Sequence, residues 1–134
     1  MDRLARNRNI LVLGSSGMIG ARLADELARM GHQVWGVSRK PPPYGSLDWQ
    51  SVQVGSYRET RIECTELIIV NCAGPSASWA EIYPSEMLDF AERHASDVAV
   101  LKKRHLASHV INMSTVHVYD ASPIGLITEG HGQS

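Results

Sequence analysis

Little in this sequence would cross-link the chain or commit it to a highly charged partner. Among 134 residues there are two cysteines, Cys64 and Cys72, without the close CxxC spacing of a redox or zinc pair. Cys72 lies in an apolar run, where a reduced thiol packs as a small hydrophobe. No disulfide framework is expected, and a chain of this size needs none, since it buries roughly two-thirds of its unfolded surface. An excess of one charge is also missing. The formal net charge of -1 gives no electrostatic reason for nucleic acid or an anionic membrane as a partner. Long hydrophobic runs are absent too: after a polar N-terminal stub (residues 1–8) the first apolar run, Ile10 to Leu13, is too short for a signal-peptide core or a membrane span. A cytoplasmic location is therefore expected. No HExxH or paired Cys/His set occurs. His105 and His109 are four apart but fall at a helix end and in the next strand, so no metal site is expected. No internal repeat or low-complexity tract is evident.

What is present is alternation. Asn9 to Gly14 (NILVLG) is a continuous apolar run closed by glycine, the pattern of a strand buried on both faces of a parallel sheet. Ile19, Leu23, Leu27 and Met30 recur at helical spacing up to Gly31, which is placed to end that helix in the left-handed conformation. Gln33 to Ser38 reads as a second strand and Ser51 to Gly55 as a third. The link between them contains Pro41, Pro42 and Pro43, which forbid a helix across its start. Tyr57 to Glu66 has room for a short helix, Leu67 to Cys72 (LIIVNC) is a fourth buried strand, and Ala73 to Tyr83 is a loop of small residues.

A helix opening at Pro84 or Ser85 and running to about Arg104 presents Met87, Phe90, Ala91, His94, Val98 and Leu101 on one face. That stripe suits packing on the chain's own sheet, or pairing with a second copy. Lys102, Lys103 and Arg104 complement the helix C-terminus. His109 to Met113 is the fifth strand, and residues 115–134 form an irregular tail. Strands alternating with helices predict one α/β domain over residues 1–134. The expected fold is a doubly wound, Rossmann-like parallel sheet of order 3-2-1-4-5 whose second half stops early.

Gly14-Ser15-Ser16-Gly17-Met18-Ile19-Gly20 lies where the first strand hands over to the first helix, the context in which three spaced glycines carry meaning. Gly14 permits the tight turn, Gly17 lets backbone approach a pyrophosphate, and Gly20 lets helix pack closely on strand. Ser16, Met18 and Ile19 belong to the same cradle, where a helix N-terminus offers free N–H groups and partial positive charge to phosphates. At the end of the second strand a carboxylate would accept bonds from the ribose of NAD and repel a 2′-phosphate. Here stand Ser38 and Arg39, a hydroxyl and a guanidinium that suit NADP, with NAD as the alternative.

These residues resemble the short-chain dehydrogenase/reductase superfamily, most closely its extended branch of NAD(P)-dependent epimerases, dehydratases and reductases of nucleotide sugars. The likeness runs through LVLGSSGMIG (Leu11 to Gly20), MGHQVWGVSR (Met30 to Arg39), IIVNCAG (Ile68 to Gly74) and MSTVHVYD (Met113 to Asp120). It implies that Ala73 and Gly74 line the cofactor and that Thr115 takes the place of the catalytic hydroxyl. Ser56 stands near where the family often has an adenine-contacting aspartate. The family's Tyr-x-x-x-Lys pair has no counterpart: four residues after Tyr44, Tyr57, Tyr83 and Tyr119 stand Asp48, Arg61, Met87 and Pro123. Without a tyrosine acidified by a neighbouring ammonium, Thr115 has nothing with which to exchange a proton.

Three readings follow. The chain binds a dinucleotide without catalysing alone, or it is completed by another polypeptide into an NADP-dependent oxidoreductase or epimerase, or it is a sensing or interaction module. The apolar fifth strand, 109–113, is an expected edge, to be covered by a second copy or by the chain's own tail.

Overall fold

The central strand, β1 (Asn9–Leu13), carries apolar side chains on both faces, and this sets the layering of the whole domain. In the computed structural model, residues 7–42, 48–53, 56–64, 66–74 and 81–113 are described. β1 is followed by α1 (Met18–Arg29), β2 (Gln33–Ser38), β3 (Asp48–Ser51), a single 3-10 turn (Tyr57–Glu59), β4 (Ile68–Asn71), α2 (Pro84–Arg104) and β5 (His109–Asn112). The sheet is parallel throughout, in the order β3-β2-β1-β4-β5, the doubly wound, Rossmann-like arrangement expected.

Alternate β1 residues feed two cores. Ile10 and Val12 pack with Val34, Val70 and Ala24 beneath α1. Leu11 and Leu13 pack on the other face with Val37, Ile69, Tyr57 and the α2 residues Val98 and Leu101. α1 buries only small residues fully, Gly20, Ala21 and Ala24, so its axis lies close to the sheet. Gly31 ends it as expected, at φ 96, with its N–H donating to the Ala28 carbonyl.

Three readings of the pattern are corrected. The third strand is Asp48–Ser51, not Ser51 to Gly55: it pairs from Trp35↔Asp48 to Ser38↔Ser51. An edge strand needs only backbone pairing and shows little apolar alternation. Val52, which suggested a strand, is buried as the chain leaves the sheet, its N–H donating to the Ser38 carbonyl at 3.1 Å. Tyr57 to Glu66 forms one 3-10 turn rather than a helix, because Thr60 adopts φ -59, ψ 132 and so delivers Ile62 to the core. On α2 the buried seam is His94, Asp97, Val98 and Leu101, with Ala91 exposed. Packing on the chain's own sheet thus accounts for Val98 and Leu101.

Polar contacts tie α2 to the loop between β3 and β4. Arg58 Nε donates to fully buried Asp97 Oδ1 at 2.5 Å, and Arg58 Nη2 to Ser96 Oγ at 3.1 Å. Arg104 Nη1 donates to the carbonyls of Arg58 and Thr60 at 2.6 and 2.9 Å. Buried His105 accepts the Ile62 N–H at Nε2, 3.2 Å, and therefore donates from Nδ1 to the Leu101 carbonyl, 3.2 Å, as the neutral ring. Among the described residues, no helix is long and apolar enough to cross a membrane.

Burial holds the pKa values of His94 and His105 below the ordinary 6.5, and the charges of Arg104 and Arg61 add to the effect at His105. Below 6.5 the unfolded chain takes up protons that the folded rings resist. Stability present above that pH is therefore lost as the pH falls through the folded values. Urea denaturation from pH 7.5 to 5 is expected to show this decline, and His105→Gln should flatten it. An unchanged slope would show that the buried rings do not govern it.

Candidate functional site

Three chain segments converge beyond the C-terminal ends of β1, β2 and β4. The N–H groups of Gly14 and Ser15 both donate to the Val37 carbonyl, at 2.7 and 3.2 Å, and Cys72 N–H donates to the Leu13 carbonyl at 2.9 Å. The glycine turn is thereby pinned between the ends of β2 and β4. Gly14 has φ +79, and a Cβ there would lie 2.8 Å from both Cα and N of Ala73. At Gly20 a Cβ would overlap the Gly14 carbonyl oxygen and sit 3.3 Å from Cys72 Cβ. These two positions demand glycine for reasons internal to the protein.

Gly17 differs. A Cβ on it would meet only the Gly14 oxygen at an ordinary 3.5 Å, and the residue faces solvent. It is the N-cap of α1, with no side chain to cap the helix and no acidic residue in the first turn. The positive end of α1 is thus left without an internal anion. Ser16 is half-buried beside it, while Met18 and Ile19 are exposed at its rim. Across the mouth, Gly74 is exposed and a Cβ on it would touch nothing within 4 Å. Ala73 is half-buried and its N–H donates to Asn71 Oδ1 at 3.2 Å. These features leave the first-turn N–H groups of α1 without a side-chain acceptor beside two glycines whose Cβ directions are open.

The two residues at the end of β2 have different fates. Arg39 is exposed, as its expected role requires. Ser38 is 2% exposed, with Oγ bonded to Trp49 Nε1 (2.9 Å), Ser15 Oγ (3.2 Å) and the Lys40 carbonyl (2.5 Å). A hydroxyl has one proton and two acceptor sites, so this one has nothing left for a phosphate. The charge at this end of the sheet therefore rests with Arg39 and its exposed neighbour Lys40. Ser56 is half-buried at the head of the 3-10 turn, its N–H donating to the Gln53 carbonyl. Thr115 lies outside the described residues, so the catalytic position is not among those the structure brings together.

Pattern reading missed a polar network behind the Ala73 wall. Asn71 Oδ1 accepts from Ala73 N–H and from His94 Nε2 at 2.7 Å, while Asn71 Nδ2 donates to Asn112 Oδ1 at 3.1 Å. Because Oδ1 can only accept, the His94 proton is on Nε2. The ring stacks on Phe90 (centroids 5.2 Å) and meets Tyr57 edge-on (5.0 Å). Burial lowers the His94 pKa against the opposing charge of Asp97, and burial raises those of Tyr57 and Cys72. The available signal was an asparagine closing an otherwise apolar strand. Among the described residues, no group of three or more His, Cys, Asp or Glu could hold a metal ion.

Residues 10–131 match the family model described as the NAD dependent epimerase/dehydratase family. No curated protein matches the chain. Among solved structures, a UDP-glucose 4-epimerase superposes with a TM-score of 0.76 at 18% identity, over 95% of this chain and 41% of that one. A UDP-glucose 4-epimerase from Bifidobacterium longum in complex with NAD+ and UDP gives 0.76 at 20% identity, over 94% and 42%. A short-chain dehydrogenase/reductase superfamily protein from Agrobacterium tumefaciens with bound NAD gives 0.77 at 19%, over 95% and 39%. At such identities the likeness is one of fold. The chain spans about two-fifths of the length of these proteins.

The glycines should separate in mutagenesis. Gly14→Ala and Gly20→Ala press a methyl group into backbone and are expected to cost about 1–3 kcal/mol or more. Gly17→Ala should leave stability within about 0.5 kcal/mol. Thermal denaturation of the three variants checks this, and equal losses at all three would refute the division of roles.

Proposed function

Since the chain belongs to the NAD-dependent epimerase/dehydratase family, we propose that its Gly14–Gly20 turn binds the pyrophosphate of a nicotinamide dinucleotide. The observation that carries this reading is the uncapped, acid-free N-terminus of α1, opening beside Gly17. Phosphate oxygens there would accept from first-turn N–H groups and meet the positive end of the helix. Ser16, Met18 and Ile19 border that position, and Ala73 and Gly74 form its opposite wall.

The dinucleotide is NADP(H) in preference to NAD(H). Arg39 supplies a cation where a carboxylate would repel a 2′-phosphate, and one such charge-assisted contact contributes about 1.5–3 kcal/mol. Ser56 lies on the adenine side as a weak substitute for a carboxylate. Thr115 is assigned the substrate-orienting hydroxyl. No tyrosine in the 134 residues is followed four places later by lysine, so the proton-transfer partner comes from elsewhere and these residues bind without turning over. A nucleotide sugar is the substrate class proposed for the completed enzyme, and another polypeptide supplying the acid–base helix is one route to completion. Cys72, a free half-buried thiol, suits the cytoplasm as the proposed location.

Calorimetric titration is expected to show NADPH binding at least tenfold more tightly than NADH, with Arg39→Ala removing most of the difference. Gly17→Val should abolish binding of both while the protein stays folded. Equal affinities in the unmodified protein would end the NADP assignment. Undiminished binding by folded Gly17→Val would end the pyrophosphate assignment.

One observation favours association as well. Among the described residues β5 is an edge of the sheet, and its Ile111 and the following Met113 are 50% and 47% exposed. Pairing along residues 109–113 with a second copy, in preference to cover by the chain's own residues 115–134, would bury them. Sedimentation over a wide concentration range should show self-association that Ile111→Lys shifts toward monomer. A monomer at all concentrations would exclude the second copy.

A further inference from the structure

The backbone around Arg39 is held from several directions, chiefly by β3. Val52 N–H donates to the Ser38 carbonyl at 3.1 Å, and Ser51 Oγ donates to the Arg39 carbonyl at 3.2 Å. Ser38 Oγ closes the turn by donating to the Lys40 carbonyl. That hydroxyl is locked in turn by the Trp49 indole N–H and the Ser15 hydroxyl. The indole reaches it because Gly36 is the partner of Trp49 across the strand pair. Two residues before Ser38, on the same face of β2, Gly36 presents no side chain to block the ring. One hydrogen-bonded chain therefore runs from β3 through the end of β2 into the glycine turn.

Arg39 is exposed, and its charge acts on the buried Tyr57 phenol, opposing the rise that burial imposes there. Asp48, at the start of β3, accepts from Gln33 at the start of β2, away from the strand ends that carry Arg39 and Ser51.

We infer that Trp49 and Ser51 are positioning residues that set the preference for a 2′-phosphate, by fixing the peptide units on either side of Arg39 so that its guanidinium meets the adenosine end of the ligand already oriented. This rests on the dinucleotide reading above and adds the residues that tune it. Fixing the backbone beforehand removes part of the ordering that binding would otherwise impose. NADH has no 2′-phosphate and so gains far less from an oriented Arg39, which makes its affinity an internal control for damage to the site.

Titration of NADPH and NADH against the full chain and its Ser51→Ala, Ser51→Thr and Trp49→Phe variants tests the inference. Ser51→Ala and Trp49→Phe should each lower the NADPH-to-NADH affinity ratio about threefold to tenfold, the range for loss of one hydrogen bond. NADH affinity should hold, and Ser51→Thr, which keeps the hydroxyl, should restore the ratio. Should Trp49→Phe not fold, exposed Ser51 carries the test. A ratio unchanged in the variants, or a parallel fall for both ligands, overturns the inference even where Arg39→Ala abolishes the preference. Absence of any preference in the unmodified chain overturns the NADP assignment and this inference together.

Discussion

Everything at the ligand end of this domain depends on one steric permission, the absence of a Cβ at Gly20. With a side chain there, the first turn of α1 could not lie against the Gly14 carbonyl and Cys72. The helix would stand off the sheet, and its N-terminal N–H groups would no longer open beside the ends of β2 and β4. The small residues Ala21 and Ala24, also buried, continue the same close approach along the helix. Helix packing and the anion recognition proposed for the turn are therefore one constraint seen at two depths.

The opposite wall is built by polar means. Ala73 approaches Gly14 closely enough to exclude a Cβ, and its N–H is held by Asn71, which is held by His94 from α2. Burial, which lowers the His94 pKa, favours the neutral ring here, and its Nε2–H supplies the second donor that Asn71 Oδ1 accepts beside the backbone amide. α2 thus reaches the site without touching it, through a buried imidazole packed between Phe90 and Tyr57.

The parts legible in the sequence were those where local pattern and tertiary demand coincide. NILVLG and LIIVNC are apolar because both faces of β1 and β4 are covered. The three glycines are spaced by the geometry of the strand-to-helix turn. β3 was misplaced by three to four residues because Asp48–Ser51, an edge among the described strands, is mostly exposed and its pairing is carried by backbone. Ser38 illustrates a deeper limit. Beside Arg39 it reads as a ligand contact, yet its hydroxyl is used by partners 23 and 11 residues away, and no local pattern records that. Asp97 is similar: an acidic residue in a helix reads as surface, and only the fold brings Arg58 to it across 39 residues. The glycine positions were open to inference, while the state of each neighbouring side chain was not.

The strand order also bears on how the chain is made. Of the five described strands β1 is translated first but occupies the middle of the sheet, bonded on one side to β2 and on the other to β4. Its β2 partner begins at Gln33, so half of its pairing is available early. The other half waits until Ile68–Asn71 has been synthesised, and Leu11 and Leu13 cannot be sealed until α2 delivers Val98 and Leu101. During that interval the most hydrophobic strand of the protein has an open flank. Growth of the nascent chain is then a period of exposure that ends with α2, and the time taken to translate residues 39–101 sets how long that flank of β1 stays open.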